Sequence, residues 1–101
     1  MAKNQDYAQQ LGSAWALHRK GQNDDAIREF SSLLQLSANN MDALYGLGLA
    51  QRSSGKLDDA RTSFSRCVEA IGTALKEQPR EDRYQMLNRM AKQRLDELKA
   101  K

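Results

Sequence analysis

The chain has 101 residues, enough for one domain with a buried core and too few for a second fold beside it. A hydrophobic share of 40% beside 29% charged residues is that of a soluble globular protein, and no apolar run approaches the roughly 20 residues that span a bilayer. The net charge of +3 sits in the last quarter: residues 1–75 hold eight basic and eight acidic side chains, whereas 76–101 hold eight basic and five acidic, so attraction for an acidic partner is expected there.

Ala, Leu, Gln, Arg, Lys and Glu dominate, proline occurs once, and β-branched residues are sparse, which predicts an all-α chain. The segment "MAKNQD" (1–6) reads as a flexible N-terminus, and the lack of an apolar run behind its lysine predicts a cytoplasmic chain rather than a secreted one. A first helix is predicted over 7–20, with Leu11, Trp15 and His18 on one face. Gly21 ends it in the left-handed conformation that a side chain would resist.

A second helix is predicted over 24–37. Asp24 and Asp25 lie in its first turn, where free backbone N–H groups and the helix dipole favour negative charge, so the pair is structural rather than catalytic. The polar run "SANN" separates it from a third helix over 41–54, which Gly55 ends as Gly21 ended the first. A fourth helix, 57–77, carries Asp58 and Asp59 at its start and the lone Cys67 on its apolar face, where a cysteine packs as a small hydrophobe. Pro79 stops this helix. The fifth is predicted over 80–99, with Tyr84, Leu87, Ala91, Leu95 and Leu98 forming an apolar stripe at intervals of three or four.

Two of these segments are near-copies. "GQNDDAIREFS" from Gly21 and "GKLDDARTSFS" from Gly55 share G-x-x-D-D-A-x-x-x-F-S, and their starts lie 34 residues apart. Ala26 and Phe30, like Ala60 and Phe64, are one helical turn apart and so share a face. The chain therefore resembles the tetratricopeptide repeat family, whose unit is a helix–turn–helix of about 34 residues. The second copy carries the pattern best, in Leu44, Leu47, Gly48, Gly55, Ala60 and Phe64, with Gln51 where an aromatic residue is usual. The first keeps Gly21, Ala26 and Phe30 but has Gln10, Ser13, Ala14 and Leu17 where tryptophan, leucine, glycine and tyrosine are preferred. Ala38 and Gly72 replace the usual terminal prolines.

The resemblance covers 7–74 and implies a right-handed α-α superhelix: repeat one over 7–40, repeat two over 41–74 with its last helix extended to about 77, and a capping helix over 80–99, all in one domain. It also implies a non-catalytic adapter that holds a peptide segment on a concave face lined by the first helix of each repeat. Carried over by position, that face comprises Ala8, Leu11, Trp15, His18 and Arg19 from repeat one, Asp42, Tyr45, Leu49 and Arg52 from repeat two, and Gln85, Arg89 and Lys92 from the last helix. A partner with apolar anchors and some acidic character would suit it. The positions that some family members use to clamp a chaperone's C-terminal carboxylate hold Leu11, Trp15, Gly46, Asp82 and Met86, so that ligand is not expected.

The sequence leaves open whether Trp15 turns to the groove or to the core, because repeat one is short of core residues. Tyr45 faces the same choice, with the groove favoured since Leu44, Leu47 and Gly48 already supply that helix's packing. Self-assembly is the alternative function, since two repeats fall below the three usually needed for a stable array and Met86 and Met90 widen the apolar side of the last helix. RNA binding is a weaker reading, as the basic excess is interspersed with acidic residues. Enzymatic activity, a cofactor and a metal are not expected: no phosphate-cradling loop, ligand cluster or nucleophile–base pair is present, and His18 is the sole histidine.

Overall fold

A computed structural model describes the backbone of residues 3–99 and the side chains of residues 7–99. It holds five helices, α1 (Lys3–Arg19), α2 (Asn23–Leu36), α3 (Met41–Ser53), α4 (Leu57–Glu77) and α5 (Asp82–Lys99), and no strand among the described residues. The all-α expectation holds, and α4 ends at the predicted residue. Helix α1 starts at Lys3 rather than Tyr7, so it reaches back into the segment read as a flexible N-terminus. Residues 1 and 2 of that segment lie outside the described residues.

The two glycine stops are the same device used twice. Gly21 has φ 82° and Gly55 has φ 81°, values open to glycine because it lacks a Cβ. At the first stop Gln22 N–H donates to the Leu17 carbonyl at 2.9 Å and Gly21 N–H to that of His18 at 3.0 Å. At the second, Lys56 N–H donates to Gln51 at 2.8 Å and Gly55 N–H to Arg52 at 3.0 Å, so both close as Schellman motifs and satisfy the last carbonyls of the helix. Asn40, the last residue of "SANN", caps α3 by accepting from Ala43 N–H at 2.9 Å. Beyond α4 the chain turns at Pro79, whose carbonyl accepts from the Gln85 side chain at 2.8 Å and ties the turn to α5.

Helices adjacent in the chain pack against each other, and a smaller contact joins α1 to α3. The core is a ladder of small residues and rings. Ala14, Ala26, Ala43, Ala50 and Ala60 are fully buried and bring the helix backbones close, while Phe30 and Phe64 fill the spaces one turn on. Phe30 lies against the α3 backbone at Gly46, and Phe64 against it at Gly48, where a Cβ would meet the ring's Cε1 at 2.6 Å. Gln51, standing where the family favours an aromatic ring, accepts a 2.6 Å hydrogen bond from the buried Ser63 hydroxyl. A satisfied polar pair thus takes the place of a ring.

On α5, Ala91 and Leu98 are buried and Tyr84, Leu87 and Leu95 pack against the core, so the predicted stripe is the face that α5 lays on the second hairpin. Two helical hairpins and a capping helix describe the whole.

Cys67 is fully buried beside them, its thiol donating to the Met41 carbonyl at 3.5 Å. Burial, aided by the Asp42 carboxylate, pushes this thiol up from 9.0 to about 12. Above pH 9 the unfolded thiol loses its proton while the folded one keeps it, so folding stability falls as pH rises between 9 and about 12. The slope contributed by this group approaches about 1.4 kcal/mol per pH unit. Tyr7 and Tyr45, both raised above 10.0 chiefly by desolvation, add to the loss at the alkaline end of that window. Urea titrations from pH 8 to 11 should show the slope in wild type and its reduction in Cys67→Ala.

Candidate functional site

The candidate trough runs along the faces of α1 and α3 that carry the residues at matching repeat positions. Leu11 and Trp15 of α1 and Leu49 of α3 are each half-buried, resting on the core while keeping part of the side chain at the surface. Trp15 takes neither of its two alternatives alone. Its ring meets the buried Phe30 edge-on, with centroids 5.4 Å apart and planes at 82°. On another side it meets His18 at 6.1 Å and 71°. An aromatic held between two edge contacts has little freedom left to lose on binding.

His18 is half-buried, and its Nδ1 lies 3.0 Å from Asn23 Oδ1 across the first glycine turn. That bond holds the imidazole beside Trp15. Arg19 and Ala8 are exposed, as are Arg89, Lys92 and Gln85 on α5. Arg89 and Lys92 enter no ion pair among the described residues.

Repeat two departs from the expected open surface. Tyr45 is 6% exposed and belongs to the core, which corrects its placement in the groove. Its ring tilts against Phe64 at a centroid distance of 5.6 Å, and Arg94 and Glu97 of α5 are near enough to act on its phenol. Desolvation raises the phenol above its ordinary range against the opposing pull of Arg94 and Arg52. Arg52 is not a free cation either: its Nη1 donates to Glu97 Oε1 at 3.1 Å. The second oxygen of Glu97 accepts from Arg94 Nη2, also at 3.1 Å. Asp42 is exposed and lines a cavity of about 160 Å³ where the start of α3 meets Arg83, Tyr84 and Leu87.

The C-terminal helix therefore contacts repeat two at Tyr45 and Arg52, whereas Leu11, Trp15 and His18 of repeat one are half-buried. Glu97 and Arg94 escaped sequence reasoning because their only local signal is the three-residue spacing that lets them pair along α5. The contact that gives them meaning, to Arg52, spans 45 residues. On the outer side of α5, Met86 and Met90 are exposed one turn apart. No three His, Cys, Asp or Glu side chains converge on a metal-sized site, and no helix is long and apolar enough to cross a membrane, among the described residues.

Comparison with known proteins agrees with the repeat geometry. The sequence model of the family described as "Tetratricopeptide repeat" matches residues 11–74, which runs from the middle of α1 nearly to the end of α4. No curated protein matches the chain.

Proposed function

Since the chain belongs to the tetratricopeptide repeat family, whose members generally mediate protein–protein interaction and are typically non-catalytic, we propose that it is an adapter holding a peptide segment in the α1–α3 trough. The observation that carries this reading is the fixed, half-exposed Trp15 between Phe30 and His18. A rigid aromatic, with Leu11 one turn before it on α1 and Leu49 at the matching place on α3, suits an apolar anchor of the partner. Arg89 and Lys92, exposed on α5, suit acidic residues further along the same segment.

Trp15 is the chain's single tryptophan, so its emission reports on this trough alone. An array of 15-residue peptides probed with wild type and Trp15→Ala should yield segments that shift Trp15 emission in wild type. The variant should bind those segments at least about tenfold more weakly, the effect of losing an anchor worth more than about 1.4 kcal/mol. Trp15→Phe, which keeps an edge for Phe30, controls for loss of packing. An array in which no segment moves the emission and loses affinity in the variant rejects the trough.

A second reading, self-assembly through α5, is favoured by the exposure of Met86 and Met90 on its outer face. Sedimentation of the same samples across concentration separates the two, because a strict monomer leaves only the peptide reading.

A further inference from the structure

We infer that Arg52 and Arg94 form a carboxylate-binding site which the chain's own Glu97 occupies at rest, and that an acidic side chain of a docked segment takes Glu97's place. The inference deepens the trough reading by naming the chemistry at its second end, and it rests on that reading for the source of the carboxylate.

Three observations support it. Two guanidinium groups from different helices converge on one carboxylate, each at 3.1 Å, so the cluster carries one positive charge more than it neutralises. Arg94 Nε is buried and has no hydrogen-bond partner among the described residues, so the cluster has more donors than its single carboxylate can satisfy. The side chains of Arg52, Arg94 and Glu97 are 33%, 24% and 44% exposed, which leaves the carboxylate the most accessible of the three.

The planar forks of two arginines match a carboxylate better than a spherical ion. A partly exposed ion pair contributes little, so Glu97 can leave for water at small loss while its two partners stay in place. Position links the cluster to the trough: Arg52 lies one turn beyond Leu49 on α3, and Leu49 stands 34 residues after Trp15, at the matching place of the next repeat. A segment anchored on Trp15 and running along α3 would bring an acidic residue to the two arginines. At rest, α5 spans this end of the trough and supplies a stand-in for that residue.

The probe is glutarate, added to the full ¹⁵N-labelled chain at ionic strength held constant with sodium chloride, with the arginine Nε–Hε resonances as readout. Glutarate should move the Arg52 and Arg94 signals in wild type. In Glu97→Gln, which removes the internal competitor, it should bind about two- to fivefold more tightly, the factor that a partly exposed ion pair represents. Adding Arg94→Gln to that variant should abolish the response. Equal affinity in wild type and Glu97→Gln, movement spread over unrelated arginines, or the same response to chloride overturns the inference. Should Glu97→Gln fail to fold, wild type against Arg94→Gln decides, with a response required in the first and absent from the second. Glutarate carries no apolar anchor, so its failure leaves the Trp15 measurements standing, and a silent Trp15 leaves the arginine pair to be judged by glutarate alone.

Discussion

Phe64→Ala should lower the unfolding free energy by about 3–5 kcal/mol, the range for removing a buried aromatic ring and leaving a cavity that the surroundings only partly fill. The ring is fully buried, lies on the α3 backbone at Gly48 and meets Tyr45 at 5.6 Å, so its loss undercuts both the hairpin contact and the ring above it. Against a typical total of about 5–15 kcal/mol for a domain, such a loss leaves a marginal fold. Urea unfolding followed by circular dichroism measures it, and Leu36→Ala is the reference. Leu36 is 74% exposed, so its truncation should change stability by no more than about 0.5 kcal/mol. A Phe64→Ala loss as small as the reference would mean that the repeat ring does not clamp the hairpin.

Gly48→Ala should also destabilise, by about 1–3 kcal/mol, although alanine is the better helix former by about 1 kcal/mol. The new Cβ would meet Phe64 Cε1 at 2.6 Å, Cδ1 at 2.8 Å and Cζ at 2.8 Å, nearer than carbon atoms approach without displacement. A ring end can swing aside when it has open space, but Phe64 is buried on all sides. Overpacking therefore outweighs propensity.

Gly72→Ala supplies the opposite sign, because a Cβ at this position inside α4 would meet nothing within 4 Å beyond its chain neighbours and its own helix backbone, and should stabilise by about 0.5–1 kcal/mol. Phe64→Leu should partly rescue Gly48→Ala, with a coupling of about 0.5–3 kcal/mol in a double-mutant cycle. Additive losses, or a stabilising Gly48→Ala, would show that the glycine is not held by the ring.

These two positions also show what could be read in advance. Phe64 was legible as a member of a repeated pattern, since it shares a face with Ala60 and recurs as Phe30 at the spacing of 34, whereas Gly48, with Ala14 in the first copy, was legible only through the family resemblance. The glycine stops, the paired aspartates and the end of α4 were legible for a related reason. Each depends on the conformation or charge of a few neighbouring residues, so the chemistry lies within one short stretch of chain.

Tyr45 and Arg52 behaved differently. Both were assigned to the trough by matching positions, an assignment that counted Gln85, Arg89 and Lys92 of the last helix but not its contacts with repeat two. Helix α5 instead brings Arg94 and Glu97 beside Tyr45, and Glu97 takes Arg52. Trp15 resolved in a third way, packing on Phe30 with part of its ring still at the surface, an outcome that neither alternative for it contained.

Helix identity and the helix ends near Gly21, Gly55 and Glu77 were thus settled by local periodicity and turn chemistry, forces that act over a few residues and are printed in their order. That Tyr45 and Arg52 lie against Arg94 and Glu97 was settled by how α5 docks after the turn at Pro79. That docking joins side chains 45 residues apart, and it follows from the shape of the packed hairpins rather than from any spacing along the chain.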